Sequence, residues 1–234
     1  MHFADRTIAP YTFTCVIQAY AAWTPEMNQS PTTLAVPKAL QRRLSPLARA
    51  VLHCIGECIQ PAEQLPTVFS SSHGEIGKCL EMLETLQAGE ELSPTAFSLS
   101  VHNAIAGLYS MAYGNHAEIT ALAPAASGLG AGFIEALGML QEGQPEVLLV
   151  FYDEALPDFF PSAPFRQSLT GTFALALKLT LAGEGTQLGF GPSKQTRHDG
   201  EQPLQLPAFI NFLNSSQSEL CLGDQGCNWQ WQKL

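Results

Sequence analysis

The sequence has 234 residues and carries 11 lysines and arginines against 21 aspartates and glutamates, a formal net charge of −10. This acidic balance argues against a nucleic-acid binder, which would cluster basic residues along phosphates. No apolar run approaches the ~18 residues that a membrane span needs. Residues 1–6 lack a signal-peptide pattern, so we expect a cytoplasmic protein. Hydrophobic residues make up 46%. A chain this apolar can build a core and leave apolar surface for a partner.

The first half of the sequence predicts two strands and three helices. In chain order they are a strand at 11–22, a helix from Ser45 to Pro61, a strand at 67–70, a helix at 76–88 and a helix at 101–113, with a loop at 31–37. Ser45 and Pro46 supply a cap and a first-turn proline. Leu47, Val51 and Ile55 then recur at helical spacing. This half therefore alternates strands with amphipathic helices.

The second half continues the alternation. It predicts a strand at 119–123, a helix at 127–140, strands at 147–152 and 173–181, a loop at 183–207, a short helix at 206–213 and a terminal strand at 229–232. The run at 147–152 is almost continuously apolar, which is typical of a parallel strand covered on both faces. The order of elements predicts an α/β layered fold.

Two cysteines are spaced so that a helix would place them on one face. Cys54 and Cys58 are four residues apart, and His53 is adjacent. The group could begin a metal site, but no second Cys/His pair lies at a finger or ribbon spacing. We therefore interpret both thiols as small buried hydrophobic side chains and expect no metal.

Ser127 lies just before a predicted helix, where a helix N-terminus could activate a nucleophile. The esterase elbow requires Gly-x-Ser-x-Gly, and the flanking positions here are Ala125 and Leu129. A capping serine is the better interpretation. The glycines at 128, 130 and 132 superficially match a dinucleotide loop, but the third is one position early and all fall inside the helix. We interpret them as close-packing positions.

Two polar pairs are further candidates. His102 and Asn103 could transfer protons or recognise polar groups, although a single histidine beside a helix start is more often structural. Asp153 and Glu154 follow an apolar strand, where parallel sheets often place functional carboxylates. Adjacent acids project in different directions and do not by themselves make an acid/base pair. No residue amounts to an active site by spacing alone.

One long stretch is specific. It contains Leu92-Ser93-Pro94-Thr95-x-Phe97-x-x-Ser100-Val101-His102-Asn103-Ala104-x-Ala106-Gly107, then Tyr113-Gly114 and Ala126-Ser127-Gly128 in register, with Ser71-Ser72-His73-Gly74-Glu75 upstream. This pattern resembles the β-ketoacyl-acyl carrier protein synthases, the condensing enzymes of fatty-acid and polyketide assembly. The resemblance is strong over residues 65–155. It implies a thiolase-like α/β fold.

Two departures from the family bear on activity. The resemblance places the nucleophilic cysteine of the condensing enzymes at Ala125, and an alanine cannot form a thioester. The enzymes also have two similar α/β halves, and their two other catalytic residues lie in the second. The 234 residues correspond to the first half only, so we expect a half-length fold, a single domain over residues 1–234, and no condensation chemistry.

The resemblance therefore implies a chain length factor, most similar to the short ketosynthase-like subunits of aryl polyene clusters. Such a subunit lacks the cysteine, forms a heterodimer with an active ketosynthase and shapes its acyl tunnel. The implied partners are that ketosynthase and, indirectly, an acyl carrier protein, with no cofactor. Two alternatives stay open: an acyl-transfer enzyme using a non-standard nucleophile such as Ser127, and a free-standing carrier-binding module, for which an acidic chain is a poor electrostatic match.

The resemblance also implies where the partner binds. In these dimers, the strand before the nucleophile pairs antiparallel with its counterpart, and residues after the Ser-Pro element close the far end of the partner's tunnel. The residues predicted for the interface and the tunnel end are Thr95, Ala96, Phe97, His102, Asn103, Glu118, Ile119, Thr120, Ala121, Leu122 and Ala123. Ala96 is expected to set product length by its small size, unless Phe97 alone plugs the tunnel.

Overall fold

A computed structural model describes residues 13–27, 36–60, 62–161, 170–195, 202–224 and 226–234. The strands in these ranges are β1 (Phe13–Trp23), β2 (Thr67–Ser70), β3 (Ile119–Leu122), β4 (Val147–Asp153), β5 (Phe173–Thr180), β6 (Thr186–Pro192), β7 (Glu219–Asp224) and β8 (Cys227–Lys233). The helices are α1 (Lys38–Gln41), α2 (Pro46–Cys58), α3 (Ile76–Gln87), α4 (Pro94–Ser100), α5 (Ala104–Tyr113), α6 (Gly128–Gln141) and α7 (Gln202–Asn214), with a 3₁₀ turn at Ala125–Ser127.

The strands form one mixed sheet in the order β3-β2-β4-β5-β1-β6-β8-β7. Strands β3, β2 and β4 are parallel, while the other neighbours are antiparallel. Every residue of β2 and β4 is buried. This burial explains their apolar runs, because a parallel strand in such a fold is covered on both faces.

Helices cover both faces of the sheet. On one face, α2 and α5 pack over a core that includes Val51, Ile55 and Phe69. On the other, α6 and α7 pack over a core that includes Phe133 and Trp231. The result is a three-layer α/β arrangement, as the alternation of elements predicted. No helix in the described ranges is long and apolar enough to span a membrane.

Most predicted elements are confirmed to within a few residues. Ser45 caps α2, because its Oγ accepts a hydrogen bond from the Ala48 N–H at 2.9 Å. The predicted strand at 147–152 is β4, and the small-residue helix is α6. Residues 11 and 12 of the first predicted strand, residues 31–35 of the predicted loop, and Pro61 lie outside the described residues.

The helix predicted at 101–113 is wrong at its start. Helix α5 begins only at Ala104, and a separate helix that was not predicted, α4, ends at Ser100. Val101, which follows α4, is extended with ψ at 152°. Ser93 starts α4 by accepting a hydrogen bond from the Ala96 N–H, and Pro94 occupies its first turn. This is the same cap-and-proline signal that starts α2.

The loop predicted at 183–207 is wrong over residues 186–192 and 202–207, and its residues 196–201 lie outside the described residues. It contains strand β6 and the first turns of α7. In β6, Leu188 and Phe190 alternate with glycines. Both apolar side chains are buried, and the strand pairs with β1 and β8. Strand β7 was not predicted at all. Glycines and polar residues weaken the alternating apolar pattern that would predict these two strands. Both strands are stable because they pair with neighbouring strands of the sheet.

Candidate functional site

The chain turns sharply between β3 and α6. Ala125 begins the 3₁₀ turn with φ at 48°, and Gly128 follows with φ at 51°. A positive φ is uncommon for a residue with a Cβ, since the left-handed region crowds that atom. Ala125 is exposed. The turn therefore presents the Ala125 methyl group at the surface, directly before a helix N-terminus.

Ser127 occupies the position before α6 but makes no capping hydrogen bond. The capping interpretation is therefore wrong. The backbone at Ser127 is helical (φ −71°, ψ −15°), whereas a capping serine is normally extended. Instead, the side-chain carbonyl of Gln205 in α7 accepts a hydrogen bond from the Leu129 N–H at 3.3 Å. Gln205 is only 1% exposed.

The glycines of α6 are close-packing positions, as predicted. A Cβ added at Gly130 would lie 2.4 Å from the Trp229 indole, and one at Gly132 would lie 2.7 Å from the Phe151 ring. Both distances are shorter than side-chain carbons tolerate. The start of α6 is thus enclosed by α7 and β8 on one side and by β4 on the other.

Strand β3 forms an edge of the sheet, and β2 is its one neighbour within the described ranges. The carbonyls of Glu118 and Leu122 accept hydrogen bonds from the N–H groups of Thr67 in β2 and of Ser71, the residue that follows β2. Backbone groups alternate in direction along a strand, so the N–H and carbonyl groups of Thr120 also point toward β2. The N–H and carbonyl groups of Ala121 and its odd-numbered neighbours then point away from the sheet.

The side chains of β3 connect it to both helical layers. Thr120 donates a hydrogen bond to the Glu135 carboxylate in α6 at 3.2 Å. Ile119 packs against the core under α2 and α5, and Leu122 against the core under α6 and α7. The strand is therefore held firmly on its own sheet, while no strand in the described part of the chain pairs with its outer edge.

The other predicted site residues lie on α4 and at its junction with α5. Thr95, Ala96 and Phe97 are exposed on α4, Phe97 with 56% of its surface. His102 is half-buried, and its Nε2–H donates a hydrogen bond to the Ser71 carbonyl at 2.9 Å. Asn103 is exposed beside it. The bond to Ser71 gives His102 a structural role between α4 and the end of β2.

A buried carboxylate lies at the carboxyl ends of the parallel strands. Asp153 accepts hydrogen bonds from the Ser71 hydroxyl at 2.8 Å, the Ser72 N–H at 3.0 Å and the His73 N–H at 3.1 Å. Burial raises its pKa to about 7. Burial and the nearby Glu75 carboxylate also raise the pKa of Glu154 to about 7.

Glu75 completes this polar group, and no local sequence pattern pointed to it by itself. It is 2% exposed, accepts a hydrogen bond from the Ser45 hydroxyl at 2.7 Å, and lies 3.4 Å from the Lys78 ammonium. Glu75 lies in the Ser-Ser-His-Gly-Glu motif, which was the available signal. The group ties α2 and α3 to the ends of β2 and β4.

Cys54 and Cys58 are buried in α2, as predicted. Their thiols donate to the carbonyls of Ala174 and Ala176 in β5, with sulfur–oxygen distances of 3.8 and 3.4 Å. Burial raises the pKa of Cys58 to about 12 and raises that of Cys54 as well. Among the described residues, no three His, Cys, Asp or Glu side chains are grouped as metal ligands would be.

Comparison with known proteins assigns the family. The profile described as "Beta-ketoacyl synthase, N-terminal domain" matches residues 17–232. The chain belongs to the beta-ketoacyl synthase family. As a family member it has the thiolase-like fold at half length. No curated protein sequence matches the chain.

Solved structures of ketosynthase complexes have the same fold. The chain is similar, at 23% identity and a TM-score of 0.73, to a chain in the complex of the ketosynthase ApeO with its chain length factor ApeC from Xenorhabdus doucetiae, covering 94% of this chain and 100% of that one. A chain of the AntDE:AntF complex, a type II polyketide ketosynthase with its acyl-carrier protein, matches at 13% identity and a TM-score of 0.60, covering 94% and 99%. The ishigamide ketosynthase/chain length factor matches at 13% and 0.53, covering 78% and 68%.

Proposed function

We propose that residues 1–234 act as a single-domain chain length factor, a non-catalytic subunit that pairs with an active β-ketoacyl-acyl carrier protein synthase and shapes its acyl tunnel. The family match supports a role in ketosynthase chemistry. The methyl group of Ala125, at the position that the family motif gives to the nucleophilic cysteine, has no atom that could carry an acyl group.

The observation that carries the proposal is the outer edge of β3, which pairs with no other strand among the described residues. The strand ends at Leu122, shortly before the turn that begins at Ala125. An exposed edge of a sheet is a template for pairing with another chain, and proteins normally cover or blunt it. Ala121, at the centre of β3, carries a small exposed side chain that blocks no approach. Antiparallel pairing of this edge with the equivalent strand of a ketosynthase would extend the sheet across the two subunits.

The tunnel role rests on α4. Thr95, Ala96 and Phe97 are exposed on this helix, which packs against α3 and α5. Exposed side chains on a supported helix can reach into a partner without unfolding their own core. The resemblance places these three residues at the far end of the partner's acyl tunnel, and the small Ala96 would leave room for a long chain.

The pathway proposed is aryl polyene assembly, within polyketide and fatty-acid-type biosynthesis. Its support is the likeness to the ApeO and ApeC complex, whose chains are named as a ketosynthase and its chain length factor. The acyl carrier protein would meet the active subunit and contact this chain only indirectly. We propose a cytoplasmic location.

The test is co-expression with a ketosynthase that retains its cysteine and is encoded beside this chain. We expect the two proteins to purify together as a heterodimer, and the product length of the pair to differ from that of the ketosynthase alone. The proposal fails if this chain is a stable monomer and leaves activity and products unchanged. Covalent transfer of a labelled acyl group to this chain would favour the enzyme alternative.

A further inference from the structure

Three acidic side chains are buried where β2, β4 and α3 meet. Asp153 is fully buried, Glu75 is 2% exposed, and Glu154 is half-buried beside them. Among the described residues, the cation that acts on these acids is Lys78, whose ammonium lies 3.4 Å from the Glu75 carboxylate. These four residues are called the acid group. Fully ionised, it would carry three negative charges against one positive charge, and buried charges are costly unless they are paired.

The acid group therefore holds a proton more tightly than exposed carboxylates do. Burial raises the pKa of Asp153 from 3.8 to about 7, although the Ser71 hydroxyl and two backbone N–H groups favour its ionised form. Burial, and then the Glu75 carboxylate, raise the pKa of Glu154 to about 7. An acid whose pKa is higher when it is shielded from water stabilises the shielded arrangement in its protonated form. Proton uptake therefore tightens the group, and proton loss favours an opening that hydrates it.

His102 connects the acid group to α4. Its Nε2–H donates to the Ser71 carbonyl at 2.9 Å, and its own carbonyl accepts from the Tyr152 hydroxyl at 3.4 Å. Ser71 and Tyr152 are in turn joined to Asp153, the first by a hydrogen bond and the second as its chain neighbour. The turn that follows β2 also touches His102 directly, since a Cβ added at Gly74 would lie 3.1 Å from the His102 Cα. Because α4 ends two residues before His102, displacement of this turn displaces the helix end.

We infer that the acid group is a proton-operated switch of α4: proton uptake below neutral pH tightens the turn that follows β2 and fixes His102 and α4, whereas proton loss loosens all three. The inference rests on the proposed function for its consequence, because α4 carries the residues placed at the far end of the partner's acyl tunnel. Where the helix end is fixed, the space left for the growing chain is defined, and products should be more uniform in length. The switch itself is a property of this chain and needs no partner.

His73 also faces this region and acts in the opposite direction. It lies in the turn that follows β2, and burial together with the neighbouring His102 lowers its pKa below the usual 6.5. Protonation of His73 would therefore loosen the turn as the pH falls. The other contacts do not titrate near neutral pH: the Ser45 hydroxyl donates to Glu75 at 2.7 Å, and burial raises the pKa of Tyr152. The acid group and His73 are therefore told apart by replacing each in turn.

Hydrogen exchange measured by mass spectrometry tests the switch on the full chain, alone and in its pair. Exchange is followed from about pH 5 to about pH 8 in peptides that cover α4 and the turn after β2, and is corrected for the intrinsic pH dependence of amide exchange. Asp153→Asn removes a titrating acid, Lys78→Gln removes the ammonium, and His102→Ala breaks the link to α4. His73→Gln removes the opposing histidine. The control is Glu81→Gln, an exposed acid on the same helix as Lys78.

We expect exchange in α4 to accelerate at least about tenfold between about pH 5 and about pH 7 and then to level off. Asp153→Asn should remove most of this acceleration, because one acid no longer ionises. Lys78→Gln should instead increase exchange near neutral pH, because the acids lose their cation. His102→Ala should retain the acceleration in the turn and lose it in α4, while His73→Gln and Glu81→Gln retain it in both.

An acid group that only supports the fold would be weakened by either change of charge, so equal damage from Asp153→Asn and Lys78→Gln overturns the inference. So does exchange in α4 that keeps its full pH dependence in Asp153→Asn, or that shows none in the unmodified chain. Loss of the dependence in His73→Gln would make the histidine the switch and contradict the role of the acids.

Failure of the switch and failure of the proposed function give different results. A chain that forms no pair contradicts the proposed function and leaves the exchange result standing. Where the pair forms, its products should spread over more chain lengths above neutral pH than below it, and Asp153→Asn should remove that difference. Product lengths that do not respond while α4 does would count against the tunnel role of α4 and not against the switch.

Discussion

The Asp153 carboxylate at the end of β4 accepts a hydrogen bond from the Ser71 hydroxyl at the end of β2, over 2.8 Å. The Ser71 hydroxyl in turn accepts from the Gly74 N–H at 2.7 Å, and the Ser71 carbonyl accepts from His102. One buried acid thus positions the loop before α3 and, through His102, the junction of α4 and α5. The position of α4, the helix that we propose reaches the partner's tunnel, depends on this contact.

The first prediction concerns pH and Asp153. Its pKa rises from 3.8 to about 7 on folding, so between these values the folded chain binds more protons than the unfolded chain. The free energy of unfolding should therefore fall as pH rises through this window. Asp153→Asn removes this contribution and should flatten the slope by about 1 kcal/mol per pH unit. Glu154 acts in the same direction and His73, whose pKa burial lowers, in the opposite one; both remain in the variant.

Urea unfolding at a series of pH values measures this slope. Because Asn cannot ionise, the free energy of unfolding of the variant should gain on that of the unmodified chain as pH rises from about 4 to about 7. The control is Glu142→Gln, an exposed acid at the end of α6. Parallel pH profiles for Asp153→Asn and the unmodified chain would contradict the buried titration.

The second prediction concerns Gln205. In Gln205→Ala the buried Leu129 N–H loses its acceptor, and an unsatisfied buried donor costs about 1–3 kcal/mol. The denaturation midpoint should fall accordingly, whereas Gln144→Ala, at an exposed position, should leave it unchanged. An unchanged midpoint for Gln205→Ala would mean that α7 does not support the start of α6.

The third prediction concerns restoration of the nucleophile. Ala125→Cys places a thiol at an exposed position, so it should be alkylated far faster than Cys15 or Cys58, whose pKa values burial raises to about 12. Mass spectrometry of the alkylated peptides measures this, with Ala123→Cys as an exposed control. We expect no condensation product from the variant alone, because the remaining catalytic residues of the family are not expected in this chain. Product formation would contradict that expectation.

The sequence predicted the parts of the fold that local signals specify. Ser45 with Pro46 gave the start of α2, and the apolar run at Val147–Asp153 gave a strand buried on both faces. The family motif placed Ala125 at the nucleophile position before a helix, and the resemblance mapped the dimer strand onto residues 118–123. The position of that strand at the sheet edge followed from the resemblance and agrees with the observed strand order.

Features held by distant contacts could not be predicted. The bond between Gln205 and Leu129 joins residues 76 positions apart, and nothing in either local sequence indicates it. Ser127 has the residue type of a cap, but the turn places its backbone in the helical region, where its hydroxyl makes no capping bond. Strand β6 depends on pairing with β1 and β8, and its glycines read as a loop.

The fourth prediction uses proline substitutions at two neighbouring positions to distinguish an effect on heterodimer formation from an effect on folding. Ala121→Pro removes an N–H that points away from the sheet, so the chain should stay folded but fail to form the heterodimer. Thr120→Pro removes an N–H directed at β2 and should lower the free energy of unfolding as well. Size-exclusion chromatography with the partner, together with urea unfolding of each variant alone, distinguishes them. Heterodimer formation by Ala121→Pro would exclude pairing through this edge.

The most direct test of the chain length factor proposal is the product profile of the pair carrying Ala96→Phe. Close-packed interiors respond to single methylene groups, so a phenyl ring at the tunnel end should shorten the products by one or more condensation cycles. The variant must first be shown to form the heterodimer, and Thr95→Ser in the same turn of α4 provides a mild control. Shorter products from Ala96→Phe, with unchanged products from the control, are the predicted result. An intact heterodimer that makes products of unchanged length would contradict the proposed role of this chain.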